Sequence, residues 1–521
     1  MKRILALILF VVLLSTSVFT LASCNKKTGN DYEINYDIDL TQKPELKILM
    51  PNSGKDIGAV NSSSNATLIE KLTGYKVTYT QLPVDAATTL TTTFMDKVPY
   101  HAIKLTKDQF SDYVNQDLLT DITDALSVYG PDLLANISDE SWEVVTVDGR
   151  IYGIPERASS DNIENPIILN YDLMLQLGLD EPETLDEFTE VLEAMTAHLG
   201  KPALTFDQNT PLVYAISAAF GIYTEWQEYD GKVLFYMNAP RYQEYVDYMH
   251  DLYKRGLIDQ EVSTNKAADC NTRFVNSFKS GSEGAKAGAY ATSLWTVSSI
   301  VTALQSNGVI DATQANGELG NYLYYVRSLK ENKGDAEKVY RKSGYTYITA
   351  IPFYMASEAG YALDWMNSKI KDTETEDNFR QIVIGEEGTH WSQDTNGNYL
   401  PLLPAFQEKD DASYYMTGSN ETKYTQYWLA RVRKQAELYR AWSTLMSKAD
   451  QVGVYNIVDF IPPIEEYNNN RATVELFAQN SFYQMLKDGT GNFSGILNEL
   501  NNVNNCQKAT DAINAWYNGA N

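Results

Sequence analysis

The chain has 521 residues, too many for one compact domain and suggestive of about three. With 44% apolar and 21% charged residues it has ordinary globular composition, which excludes a disordered chain, a collagen-like repeat and a multi-span membrane protein. A net charge of −26 repels phosphate backbones, so no nucleic-acid partner is expected, and three Cys exclude a disulfide scaffold.

Lys2 and Arg3 precede an unbroken apolar run from Ile4 to Leu14. The run is too short to cross about 30 Å of hydrocarbon and reads as the core of a secretory signal. Leu21-Ala22-Ser23-Cys24 resembles a bacterial lipobox, in which the Cys thiol receives a diacylglycerol and becomes the mature N-terminus. Residues 1–23 are thus predicted as a lipoprotein signal peptide and Cys24 as the lipid attachment site, held at a membrane surface by its acyl chains. The plainer reading is a soluble secreted protein cut near Ala22 or Ser23. Residues 24–43 are polar beyond the Cys and lack apolar periodicity, so they read as anchor and flexible tether.

Leu46 to Met50 is a short apolar strand, Ala66 to Leu72 a helix stopped by Gly74, and Tyr75 to Thr80 an alternating strand. Strand, helix, strand begins an α/β layer. Val144 to Pro155 reads as a hairpin turned at Asp148-Gly149. Thr184 and Glu187 form a capping box before a helix whose apolar face is Phe188, Val191, Leu192 and Met195. Pro240 is expected to open a helix with Tyr242, Tyr245, Met249 and Tyr253 in its stripe, closed by Gly256. Some of the 36 Tyr are therefore packing. Ala287 to Leu294 is a small-residue strand leading to Trp295, and Thr346 to Pro352 a buried strand. Helices are expected over Ala356 to Ile370, one long stretch from Tyr424 to Met446, Thr473 to Leu486 and Thr510 to Trp516. Cys270 and Cys506 could pair or remain two buried thiols.

No H-E-x-x-H, G-x-S-x-G, P-loop, dinucleotide fingerprint or C-x-x-C occurs, and four His are scattered. Neither a cofactor nor a metal site is predicted. Asp394 to Asn398 has its Gly too early for an EF-hand loop and fits a tight hairpin better. Flat rings with polar edges suit sugars, and Trp226, Trp295 and Trp391 lie in polar or Gly-rich surroundings away from clear helical stripes.

Six segments resemble, in order, the bacterial extracellular solute-binding proteins of carbohydrate ABC transporters (family 1), most closely the large oligosaccharide-binding lipoproteins. They are VDGRIYGIPE at 147–156, LNYDLMLQLGLDEPETLDEFTEVLEAM at 169–195, YVDYMHDLYKRGLIDQEV at 245–262, KAGAYATSLW at 286–295, GEEGTHWSQDTNGNY at 385–399 and ATVELFAQNSFYQML at 472–486. The resemblance implies an α/β type II periplasmic-binding-protein fold, with two lobes joined by a hinge and a ligand cleft between them. It places 44–156 plus about 353–410 in the first lobe and 157–352 plus about 411–521 in the second. The chain is expected to cross just after Glu156 and to return near Ile348 to Pro352. Trp295 matches the family's sugar-stacking aromatic after the small-residue strand. Glu156 and Arg157 lie at the expected hinge, Asn52 and Ser53 in the first strand–helix loop, and Tyr171, Trp226 and Trp391 are further ligand-binding candidates. The departures are a short 196–202 segment where larger relatives carry a calcium loop, and Tyr100 after Pro99 where the family tends to place Asp.

The function implied is a lipid-anchored receptor on the extracellular face of the cell membrane. It would capture an oligosaccharide and deliver it to ABC permease subunits, as a monomer and without catalysis. The alternatives are the same fold binding peptide or another solute, and a secreted carbohydrate-active enzyme.

Overall fold

The structure, a computed structural model, describes residues 32–159, 161–281, 284–409 and 412–519. The signal segment and Cys24 lie outside the described residues.

Two sheets organise the chain. The first contains β1 (Leu46–Met50), β2 (Val77–Gln81), β3 (Ala102–Leu105) and β4 (Ile154–Arg157). The second contains β5 (Ile167–Asn170), β6 (Leu204–Thr205), β7 (Ala289–Ala291) and β8 (Leu323–Val326). The chain then returns to the first sheet as β9 (Tyr345–Ala350). The orders are β2-β1-β3-β9-β4 and β8-β5-β7-β6. In the first sheet β1, β2 and β3 are parallel, while β9 runs antiparallel to both β3 and β4, with Ile348 opposite Leu105 and Pro155. The cleft-side edge therefore carries the carboxyl ends of β1, β3 and β4 and the amino end of β9.

The inner strands β3, β5 and β7 are buried on both faces, as a helix-covered α/β layer requires. Alternation is exact in the second sheet. Ile167, Leu169, Ala289 and Ala291 enter one core, while Ile168, Tyr290, Leu323 and Tyr325 enter the other. Local signals act as their chemistry dictates. Thr184 accepts from the Glu187 N–H at 3.3 Å while the Glu187 carboxylate accepts from the Thr184 N–H at 3.2 Å. Asp148 and Gly149 both have positive φ, 50° and 75°, the geometry of a type I′ hairpin turn. Cys270 and Cys506 are free and buried in different cores.

Three expectations change. The return crossing is complete before β9 begins at Tyr345, earlier than Ile348. The stretch expected as one helix is two, Tyr424–Val432 and Ala436–Met446. Tyr424, Tyr427 and Ala430 pack into the first core and Ala441 and Leu445 into the second lobe, so the break at 433–435 is a third crossing. Residues from Ala412 to Ala430 thus belong with the first lobe rather than the second. Finally, the tether expected up to residue 43 is packed from residue 32 onward, with Ile34, Ile38 and Leu40 against the first core.

Candidate functional site

The lobes are joined by antiparallel segments. The Ala158 N–H donates to the Gly344 carbonyl at 2.9 Å, and Asn162 and Lys342 exchange N–H···O bonds of 2.9 and 2.8 Å. Beside this hinge lies a cavity of about 510 Å³ lined by Glu156, Asn162, Lys342, Trp295, Tyr424 and Trp428, among others. Such a volume is within the range of small-molecule sites.

Trp295 is presented by the end of β7. The small residues of 287–291 let the second sheet approach its helix closely: a Cβ on Gly288 would lie 2.5 Å from the Met195 sulfur. Ser293 then caps a short 3₁₀ turn, accepting from the Trp295 N–H at 3.3 Å, and the indole is left half-buried at the strand's carboxyl end. Across the cleft, Trp428 comes from helix Tyr424–Val432 of the first lobe. The rings meet edge to face, centroids 5.4 Å apart at 83°. Both line the hinge cavity, and both, with Arg431, line a second cavity of about 620 Å³ that also holds Gln305, Gln407 and Gln435. A third cavity of about 500 Å³ lies on the second lobe beside Thr292 and Ser293, with Asp207, Tyr214, Glu225 and Glu475 in its wall.

Glu156 forms part of the hinge cavity but is 2% exposed, and its carboxylate is 2.7 Å from Lys104 Nζ. Lys104 also donates to the carbonyls of Ser413 at 3.0 Å and Met416 at 2.7 Å. The pair therefore ties β3 and β4 to the 413–416 segment. Behind it, burial and then the neighbouring Lys104 push Lys369 below the ordinary lysine range. Arg157 lines an adjoining cavity of about 390 Å³ and is held by Glu140 at 2.8 Å and Asp161 at 3.6 Å. Burial pushes Tyr345, at the same edge, up to about 12.

The other candidates lie elsewhere. Trp226 is 1% exposed, packed between Phe235 and Tyr467. Trp391 is 3% exposed, its indole N–H donating to the Gly385 carbonyl at 2.9 Å. Both are interior residues, because polar neighbours in sequence say nothing about which way a ring turns. Tyr171 follows Asn170 at the end of β5 opposite Ile167, which pairs with Ala291, so it sits at the edge of the second sheet away from Trp295. It stacks on Tyr324 and donates to Glu181 at 3.0 Å. Asn52 and Ser53 do follow the carboxyl end of β1. Their side chains are engaged with Leu82 and Gln81, and the neighbouring Pro51 carbonyl accepts from the Tyr414 hydroxyl at 3.1 Å.

Residues 63–339 match the family described as bacterial extracellular solute-binding protein, over half of the chain. The chain belongs to this family. Among relatives, it is 27% identical over 286 residues to the fructooligosaccharide ABC transporter substrate-binding protein FusA of Streptococcus pneumoniae, covering 48% of this chain and 52% of that one. It is 24% identical over 357 residues to lipoprotein LipO of Bacillus subtilis, covering 65% of each. The chain thus spans about half to two thirds of the length of these relatives. In fold it is similar to an HMO binding ABC-transporter associated solute-binding protein of Bifidobacterium longum infantis, with TM-score 0.64, 15% identity, and 91% and 99% of the two chains covered.

Trp428 and Arg431 escaped the sequence reading. No local signal set Trp428 apart: it stands four residues from both Tyr424 and Val432, which are buried on the same helix, and it packs in part against the first core.

Proposed function

We propose that this protein is a lipid-anchored extracellular receptor that captures a carbohydrate, an oligosaccharide, and delivers it to the permease subunits of an ABC importer. The observation that carries the reading is the Trp295–Trp428 pair facing across the cleft, with a cavity on each side of it. The apolar face of a pyranose stacks on such rings, while Gln305, Gln407 and Gln435 offer amides to hydroxyls. A third cavity beside Thr292 and Ser293 extends the same surface, which favours a chain of several sugars over a monosaccharide. The fructooligosaccharide specificity named for one relative and the lipoprotein name of another support the sugar and the anchor at Cys24. The receptor acts as a monomer that closes by hinge rotation at the three crossings, 157–163, 340–345 and 433–435, and catalyses no reaction.

The test is a thermal-shift and Trp-fluorescence screen of residues 25–521 against oligosaccharides and peptides. A ligand at 100 times its Kd adds about 2.7 kcal/mol of stability. An oligosaccharide should shift the melting point, and Trp295→Ala should remove most of the shift. A shift by peptides alone would overturn the sugar reading, and cleaved sugar in the same mixtures would overturn the receptor reading.

A further inference from the structure

We infer that residues 32–43 are a docked strap, so that the corner of the first lobe at Tyr32, Lys97 and Phe353 is the surface facing the lipid bilayer and the second lobe stands away from it. The inference rests on the proposed lipid anchor at Cys24.

The strap is held along its whole length. At its start, Lys97 Nζ donates to the Tyr32 hydroxyl at 2.9 Å, and the Tyr32 ring meets Phe353 edge to face at 5.4 Å. Tyr36 stacks on Tyr129, whose hydroxyl donates to the Asn35 carbonyl at 3.3 Å. Ile34, Ile38 and Leu40 pack on the first core. Helix Ala359–Ile370 leaves room for this: a Cβ on Gly360 would collide with both Ile38 and Tyr129. At the far end, Lys43 pairs with Asp364 at 2.5 Å and lies over the Tyr75 ring at 4.2 Å. Apolar packing, ion pair and cation–π contact act together, so the segment loses its freedom as a linker.

The strap's place in the fold gives the orientation. Lys43 precedes β1, Lys97 precedes β3, and Phe353 follows β9, which runs antiparallel to β3. All three mark the edge of the first sheet opposite the cleft. Only seven residues, Asn25 to Asp31, then separate Cys24 from Tyr32. Fully extended, they reach about 25 Å. A lobe of roughly 240 residues is about 45 Å across, from its expected radius of gyration. The leash is shorter than the lobe, so it cannot reach around the first lobe to let the second rest on the bilayer. A free tether up to residue 43 would impose no such limit. Met95, two residues from Lys97 and 77% exposed, lies at the same corner and offers an apolar side chain to the lipid surface.

Three measurements separate the parts. Mass spectrometry of the protein from bacterial membranes should find diacylglycerol on Cys24; its absence overturns the anchor reading and the orientation with it. Hydrogen exchange on residues 25–521 should be at least tenfold slower over 32–43 than in an unstructured peptide of that sequence; equal rates overturn the strap. The lipidated protein in phosphatidylcholine–phosphatidylglycerol vesicles should then transfer energy from a dye at Met95→Cys to a lipid acceptor several-fold more efficiently than from one at Val503→Cys on the second lobe. Ile38→Asp with Lys43→Ala should narrow that difference while leaving solute affinity unchanged. Equal transfer from both lobes in the unaltered strap overturns the orientation.

Discussion

Trp226 and Trp391 turn into the interiors of their lobes, whereas Trp295 and Trp428 face each other across the gap between lobes. The first pair is packed on all sides. Trp226 lies against Phe235 at 5.1 Å and Tyr467 at 5.7 Å, and Trp391 against Tyr399 at 4.8 Å and under the Arg380 guanidinium at 5.4 Å. The second pair keeps ring surface open to cavities. The same side chain thus contributes its apolar area to folding in one region and holds it for a ligand in the other. Whether the element turns the ring into its own lobe or toward the other lobe, rather than the polarity of neighbours in sequence, decides which.

The largest effect expected from this contrast is on stability. Trp226→Ala should lower the unfolding free energy by about 3–5 kcal/mol in urea titration, through lost burial and an unfilled cavity. Solute affinity, measured at a temperature where the variant is folded, should be unchanged. Next, Trp295→Ala should weaken oligosaccharide binding by about 10–100-fold in calorimetry, in line with loss of an aromatic anchor. Its unfolding free energy should change by less than about 1 kcal/mol, because the half-buried ring leaves no interior hole. A stability loss as large as that of Trp226→Ala would make Trp295 a core residue and break the comparison. Smaller again, Trp391→Phe should cost about 1–2 kcal/mol, because the buried Gly385 carbonyl loses its donor.

The same contrast marks what the sequence made legible. Residue pairs with a local mechanism were readable: the Thr184–Glu187 box, the turn at Asp148-Gly149 and the left-handed stop at Gly74, with φ of 77°. Trp295 was readable through the family resemblance, as the aromatic that follows the small-residue strand; its own surroundings in sequence did not separate it from Trp226 and Trp391. Long-range contacts were not. Nothing near Glu156 in sequence announces Lys104, which lies 52 positions earlier and reaches it only through sheet pairing. The break at 433–435 carries no Pro or Gly, so the helix from Tyr424 appears continuous until tertiary packing sends its two halves to different lobes. The strap was read as linker because Ile34, Ile38 and Leu40 follow neither a helical nor a strand period. Their burial depends on Tyr129 and Gly360, far along the chain.

The smallest effect concerns the residue next to Trp226. Where the indole turns inward, Glu225 turns to the wall of the third cavity, and burial, with Glu475 and Asp459 adding repulsion, raises its carboxyl to about 7. Burial raises Asp459 to about 7 as well, against the pull of Lys107. Between roughly pH 4.5 and 7 the folded protein therefore holds protons that the unfolded chain has released, and stability falls as pH rises through that window. Lys107 has the opposite slope at higher pH. Its ammonium donates to the carbonyls of Val458 at 2.9 Å and Asp459 at 3.1 Å, and burial lowers it to about 8. From about pH 8 upward the unfolded chain binds the extra proton, and stability rises. Melting curves across pH 5–10 should thus show a shallow minimum near pH 7–8. Glu225 is only half-buried at the cavity wall, which weakens the penalty on its charge, so Glu225→Gln should relieve less than about 1 kcal/mol there and nothing at pH 4.5. A variant equally stabilised at both ends would mean that Glu225 acts through packing, as its neighbour Trp226 does, and that the inward and outward sides of this turn are not energetically distinct.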